Sequence, residues 1–343
     1  MPGELRTREL KDDLLVVTHM IDNSHDGWRA DNFLKLQYKH FSRNQLHGLI
    51  DEGRILIVRS SLGHADDVEA RLKASTTLRM GDKVRVLTKR AFMDEPVVDF
   101  EYKILFEDDE ILAVDKPANL PVHPAGKFLF NTLLMQLRRE RADWLAKGHD
   151  FFLIHRLDRE TSGVLLLAKT SSMAGKLVKQ FRERQTEKRY FAVAAGHCRE
   201  MKFSVDADMG SDRNSLIRLK MAAFPKGQGE LDALTHFEVV KRGKSTDLVD
   251  CKLETGRQHQ IRVHLAYVGN PVVGDKLYGA QDFDEQIFLD HINRRPLSEE
   301  TLGKLKIDRH ALHSRYLRFF HDSLGKWIEL ESPIPADMER LLE

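Results

Sequence analysis

Residues 155–169 read HRLDRETSGVLLLAK. The apolar run 164–168, with a turn signal ahead of it, predicts a short buried strand. His155, Arg156, Asp158, Arg159 and Glu160 are therefore loaded against the mouth of a core strand. Such a loop is either solvated or catalytic, with one carboxylate aimed by the sheet behind it. From Ile104 onward the pattern repeats as short strands: ILF, EILAV (110–114), YFAVAA (190–195), LTHFEVV (234–240) and LVDCKL (248–253). A helix is predicted over NTLLMQLRRERADWLAKG, with Asn131 as N-cap and Gly148 past its end. Another is predicted over SSMAGKLVKQFRERQ, with Ser171 or Ser172 as cap and Met173, Leu177 and Phe181 on one stripe. The strands come mostly in neighbouring pairs. That predicts an α+β fold with a mixed, mostly antiparallel sheet and flanking helices, not a doubly wound one.

The length, 343 residues, suggests two domains, and 41% hydrophobic with 31% charged residues suits a globular chain with a sizeable core. A net charge of +1 announces no nucleic acid globally, so charge must be read locally. Two cysteines, Cys198 and Cys251, make neither a metal-ligand spacing nor a disulfide framework, as in a reducing cytoplasm. The start has only a four-residue apolar run, too short for a signal peptide or a membrane span, and nothing longer follows. A cytoplasmic protein is expected, with monomer as the default state and residues 1 to about 15 as a loose tail.

Residues 14–88 read as a compact basic module. LLVVTHMI (14–21) suggests a strand, and DNFLKLQYKHF a helix opened by Asp31. SRNQLHGLIDEG has capping-box spacing at Ser42 and Gln45, and Gly53 ends it. RILIV (54–58) and RMGDKVRVL give two more strands, the second with Val84 and Val86 inward. Between residues 28 and 90 there are 13 Lys/Arg and 7 Asp/Glu, an excess of six positive charges. Residues 89–103 lack periodicity and read as a linker, leaving 104–343 as the second domain.

Several enzyme classes lose support. RGKS (242–245) ends like a phosphate-binding loop, but that loop needs glycine at 238, where Glu238 stands. HExxH, paired CxxC, GxGxxG after a strand and GxSxG are missing from the sequence, which disfavours metalloenzymes, NTPases and dinucleotide oxidoreductases. What remains is arginine and aspartate in charged loops. Asp158 is flanked by Arg156 and Arg159, and cations lower a carboxyl pKa. An ionised aspartate is what a nucleophile or base requires, yet the neighbourhood alone suits a surface-paired aspartate equally well. In HQIRVHLAYVG a helical stripe of Ile261, Leu265 and Val268 ends at Gly269. Arg262 borders that stripe without joining it and needs an acidic partner or a phosphate. Arg257 and His259 crowd the helix start, where the dipole favours anions. The alternative is a surface helix with solvated basic residues. KQFRERQTEKRY (179–190) is a basic strip leading to Tyr190 at the head of a strand, either a base-stacking platform or a core tyrosine.

HRLDRETSGVLLLAKT, FRERQTEKRYFAVAAGH, LETGRQHQIRVHLAYVGNPVVGDKLYG, HALHSRYLRFFH and DDEILAVDKPANLPVHP (108–124) closely resemble the pseudouridine synthases of the RluA type, in that family's order and spacing. Asn119 stands where that family usually has glycine, and asparagine tolerates left-handed backbone angles. The front module resembles the alpha-L RNA-binding domain at Gly27, Arg29, Asp31, Phe33, Leu34, Ser42, Arg43, Leu49, Ile50, Gly53, Gly81, Asp82 and Val84. It departs at IVRSS, where an Asn-Gly turn is usual.

The resemblance implies isomerisation of uridine in structured RNA to pseudouridine, without metal, nucleotide or redox cofactor. It implies Asp158 as the catalytic carboxylate, Arg262 as its partner and Tyr190 as the residue packed on the target uracil. Arg156 would fill the stack vacated by the flipped base, and Leu166 or a strand neighbour would line the uracil pocket. His155, Arg257 and His259, with Arg29 and Arg43 in the front module, are the further candidates for RNA binding. Large-subunit ribosomal RNA is the favoured partner, transfer RNA the alternative, with no membrane involved. Two other classes compete: a non-catalytic RNA-binding or ribosome-assembly factor, and a glycoside hydrolase. The hydrolase needs a second carboxylate, and Asp275 and Glu254 have no motif assigning them that role. The insertion at 280–309 is expected to shape specificity.

Overall fold

The computed structural model describes residues 6–11, 14–38, 42–60, 67–89, 98–124, 128, 130–279, 285–293 and 295–343. The chain divides into two compact units, Met1–Pro96 and Val97–Glu343.

The first unit holds β1 (Arg6–Lys11), β2 (Leu14–Met20), α1 (Ala30–Gln37), α2 (Arg43–Asp51), β3 (Ile55–Ser60), β4 (Asp67–Arg71) and β5 (Lys83–Lys89). Its antiparallel sheet runs in the order β1-β2-β5-β3-β4. Phe33, Leu34, Leu46 and Ile50 from the helices pack on Ile55, Ile57, Val84 and Val86, and each such burial contributes roughly 1.5–3 kcal/mol. The capping box forms as its spacing predicts: Gln45 N–H donates to the Ser42 hydroxyl, and Ser42 N–H donates to the Gln45 side chain. Two expectations need correction. Residues 6–11 are an edge strand paired with β2, not part of a loose tail. Asp31 lies within α1, whose N-cap is Arg29, and binds the Arg29 guanidinium through both oxygens. The turn after IVRSS, at 61–66, lies outside the described residues.

The second unit contains β6 (Lys103–Glu107), β7 (Ile111–Lys116), α3 (Leu133–Glu140), α4 (Ala142–Leu145), β8 (Phe152–Leu153), β9 (Ser162–Ala168), α5 (Ser171–Arg182), β10 (Glu187–Ala195), β11 (Lys202–Asp206), β12 (Asp208–Ser211) and β13 (Met221–Phe224). It continues with β14 (Leu234–Arg242), β15 (Thr246–Leu253), α6 (Gln260–Tyr267), α7 (Glu285–Ile292), α8 (Glu299–Leu305), β16 (Leu312–His321), β17 (Lys326–Glu331) and α9 (Ala336–Glu339). One large sheet runs β11-β14-β15-β10-β16-β9-β7-β6, with β17 beside β16 and β8 beside β9. β9 pairs parallel with β16, and every other pairing among the described strands is antiparallel, as predicted.

β9 is buried along its whole length, because both sheet faces are covered there. Leu165 and Leu167 join a core with Leu112, Val114, Leu133 and Tyr190. Val164, Leu166 and Ala168 face the other way, onto Met173 and Leu177 of α5. The helix caps sit one residue from their predicted places. Thr132 caps α3 and Thr170 caps α5, each accepting from the N–H three residues on. Asn131 instead accepts from Val98 N–H, and Gln136 accepts from Phe100 N–H. Residues 98–103 therefore pack with this unit and are not linker.

Three histidines, His264 and His310 buried and His155 half-buried, bond within this unit uncharged. The Leu166 N–H donates to His155 Nε2 at 3.0 Å, and the ring stacks on Phe181 at 4.9 Å. His264 bonds to the Thr235 hydroxyl and the Ala207 carbonyl, and His310 to the Thr161 hydroxyl. Burial pulls His155 down to about 3, His264 to about 4 and His310 to about 3. An unfolded chain binds these protons near pH 6.5, so each histidine lends stability that is lost as pH falls from there toward 4. Tm is expected to decline steadily from pH 7 to pH 5; a flat profile would contradict the burial. At Gly163, φ is +107°, and an added Cβ would lie 2.2 Å from the Ser314 carbonyl oxygen. Gly163→Ala should lower Tm by about 5–10 °C in thermal unfolding; a shift under about 1 °C would show the seam can relax.

Candidate active site

The loop ahead of β9 is fastened from below by three buried cations. Lys116, fully buried, donates to the carbonyls of Pro117, Leu120 and Arg159 at 2.7, 2.9 and 3.2 Å. Burial, with the Arg309 charge adding to it, lowers its ammonium to about 7. Arg309 donates to the carbonyls of Glu160, His310 and Leu312 while Asp337 binds its other face. Lys276 reaches the Glu160 carboxylate at 3.2 Å and the Asp308 carbonyl at 2.6 Å. Glu160 also accepts from Arg159 and from His310 N–H, and its Oε1 lies 2.7 Å from His291. Asn119 turns the segment after Lys116 at φ +64°, the left-handed angle its residue type tolerates.

Above this base, α6 brings Arg262 to Asp158. All six residues from Gln260 to Leu265 are buried, so Arg262 joins the buried surface that it was expected only to border. Val268, expected in the stripe, is exposed instead. The helix tolerates this because its polar groups are matched. The Gln260 side chain binds Thr255, Arg257 N–H, the Leu234 carbonyl and Thr235. Arg262 forks onto Asp275, Nε to Oδ2 at 2.6 Å and one terminal nitrogen to Oδ1 at 2.9 Å. Its other terminal nitrogen donates to Asp158 Oδ2 at 2.9 Å. The guanidinium also lies over the Tyr278 ring, 4.9 Å from its centre.

These contacts set the charges. Burial opposes ionisation of Asp158, but the surrounding His259, Arg262 and His310 outweigh it and hold the carboxyl well below the usual carboxylate range. Asp275 behaves alike: burial pushes it up, the Arg262 pair pulls it down to about 2. His259, 3.7 Å from Asp158 Oδ2, is lowered to about 4 by burial and the Arg262 charge. Its φ is +60° at the helix start, where its Nδ1 meets the Tyr278 hydroxyl at 2.7 Å. At neutral pH the site thus holds two carboxylates, one guanidinium and neutral imidazoles.

Asp158, Arg156, His259 and Arg262 line one pocket of about 270 Å³, together with Leu157 and His310. Tyr190 is not among the residues that line this pocket; it is buried in the interior of β10 and not at its head. The register of β10 against β16 slips between Arg189 and Tyr190, a bulge that re-aims the side chain. Its phenol bonds Ser314, and burial with the nearby Asp158 charge raises it to about 12. Three expected contacts fall elsewhere. Leu166 faces α5, on the opposite side of β9 from the Tyr190 core, because strand side chains alternate. His155 is spent on the Leu166 amide and the Phe181 ring. Arg257 turns outward to the Asp232 carbonyl. In the first unit, Arg43 is exposed at the start of α2, while Arg29 is exposed but bound by Asp31.

Glu160, which reads from sequence as a solvated or RNA-facing charge, is buried and central to the loop. Asp275 is the residue sequence missed: a Gly-Asp turn in which Oδ1 also accepts from the N–H groups of Leu277 and Tyr278. That use leaves it no part as a hydrolase's second carboxylate. Glu254 lies at the surface beside His236 and Lys252.

The family model described as RNA pseudouridylate synthase matches residues 110–267. The chain is 32% identical to "Ribosomal large subunit pseudouridine synthase D" of Zymomonas mobilis, over 92% of this chain and 93% of that protein. It is 34% identical to the protein of the same name from Xanthomonas campestris, over 94% of this chain and 90% of that one. Among solved structures, "Human RNA Pseudouridylate Synthase Domain Containing 1" superposes with a TM-score of 0.53 at 28% identity, covering 70% of this chain and 86% of that one. Relatives this similar over nearly their whole length, together with a paired aspartate and arginine at the core of the matched region, identify the chain as a member of the pseudouridine synthase family.

Proposed function

We propose that this enzyme converts uridine to pseudouridine in large-subunit ribosomal RNA, with Asp158 as the acting carboxylate. Relatives named for that substrate support the choice of RNA. The observation that carries the proposal is the Arg262 fork, which keeps Asp158 ionised and fixed at a pocket wall. The reaction breaks the bond from uracil N1 to the ribose, turns the base and joins its C5 to the same ribose carbon. No atom is gained or lost, and the C5 proton must leave as N1 regains one. Arg262 and His259 both approach Asp158 Oδ2, so Oδ1 serves the substrate. Tyr190, protonated at neutral pH, packs beneath the uracil and holds a proton near C5.

Reaching a stacked uridine requires its extrusion, at roughly a few kcal/mol. Arg156, exposed at the pocket edge, is suited to the vacated stack because a guanidinium can stack and hydrogen-bond at once. The first unit, with Arg43 exposed at the start of α2 and Arg29 exposed at the N-cap of α1, serves as the RNA-gripping module.

Asp158→Asn should reduce pseudouridine formation to background while RNA affinity stays within a few-fold. Pseudouridine mapping on RNA from cells with and without the gene identifies the substrate; sites appearing only in transfer RNA would overturn the ribosomal assignment. Arg262→Lys removes the fork and should slow single-turnover isomerisation by about 10–100-fold, the value of one charge-assisted hydrogen bond at about 1.5–3 kcal/mol. An unchanged rate would show that Asp158 needs no such partner.

A further inference from the structure

Helix α7 lies in the 280–309 insertion, and it carries Ile287, Phe288, Leu289 and Ile292 in eight positions, yet none of its residues is buried. Phe288 and Ile292 line the same pocket as Asp158, Arg262 and His259. Both ends of the helix are anchored. At its start, Glu285 binds Lys220 at 2.9 Å and accepts from Leu216 N–H, in the loop joining β12 to β13. Near its end, His291 meets Glu160 at 2.7 Å and also contacts Arg159, both in the loop of Asp158. The β12–β13 loop is tied in separately, since the Gln258 side chain donates to the Leu219 carbonyl, and Leu219 also lines the pocket. In that loop Lys220 and Arg213 are paired with Glu285 and Glu230, and Arg218 is exposed, a charge suited to a phosphate backbone.

We infer that α7 is an RNA-positioning wall of the pocket, whose Phe288 and Ile292 receive a nucleotide next to the flipped uridine. The pocket floor is ionised and matches the reacting centre. The wall is apolar and incompletely covered, and bases stack on such surfaces without needing a hydrogen-bond code. Its two anchors keep it in place before RNA arrives, so ordering it costs nothing at binding. The inference rests on the pseudouridine synthase reading, but concerns RNA contact and not bond chemistry.

The test uses the full chain and ribosomal RNA from cells lacking the gene. Phe288→Ala should raise the RNA concentration for half-maximal single-turnover rate by about tenfold, one stacked base, while the saturating rate changes less than about twofold. Phe288→Tyr, which keeps the ring, should restore the parent value. Ile292→Ala and Glu285→Gln should each weaken binding several-fold, and they decide the matter if Phe288→Ala lowers Tm. Equilibrium binding repeated in the Asp158→Asn background keeps the two ideas apart. An inactive parent enzyme would remove the reaction, whereas unchanged affinity across the α7 variants would remove the wall. A fall in saturating rate without loss of affinity would also overturn the inference.

Discussion

The site depends on one buried guanidinium shared between two carboxylates. Arg262 could not be buried alone, and Asp275, bound through both oxygens, gives it a permanent partner. That pairing fixes the guanidinium plane before any substrate is present. Its remaining edge then fixes Asp158, so the carboxylate proposed to act is aimed by a residue already immobilised. The cluster keeps a net negative charge, with Asp158 as its outermost, partly exposed member. The cost of burying these ions is thus spent on orientation.

The sheet supplies the complementary constraint. β9 places the Asp158 loop at the seam where it runs parallel to β16, and Gly163 lets the Ser314 backbone approach. Lys116 and Arg309 each bind one carbonyl oxygen of that loop, at Arg159 and Glu160, and tie it to the segments after Lys116 and before β16. The bulge at Tyr190 then turns a core tyrosine toward the same seam. Three elements distant in sequence converge on a few ångströms because each is locked by its own local bonding.

Much of this was legible beforehand, for identifiable reasons. The apolar block after the charged loop marked β9, and an arginine bordering an apolar stripe demanded an acidic partner. The resemblance points to Leu166 or a strand neighbour, and a strand buried on both faces gives no sequence signal of which side the pocket occupies. His155 looked RNA-facing among charged neighbours, but an imidazole that accepts a backbone N–H is a structural bond. The caps at Thr132 and Thr170 were displaced by one residue since adjacent Asn and Ser compete on equal chemistry. Asp275 escaped because its partner lies thirteen residues back, across a turn and not on one helix face.

The insertion of β16 between β9 and β10 has a further consequence, for the order of assembly. The Asp158 loop leads into β9 and Tyr190 lies in β10, strands that are not neighbours; residues 312–321 must enter between them before the two can come together. β16 follows every residue of the site in the chain. A nascent polypeptide that already contains Asp158, Tyr190, Arg262 and Asp275 therefore has all the chemistry and no enzyme. Because synthesis proceeds from the N-terminus, competence arrives late and at once, when a single strand closes the gap. A partly made copy therefore lacks the closed site even when every residue lining the pocket has been synthesised.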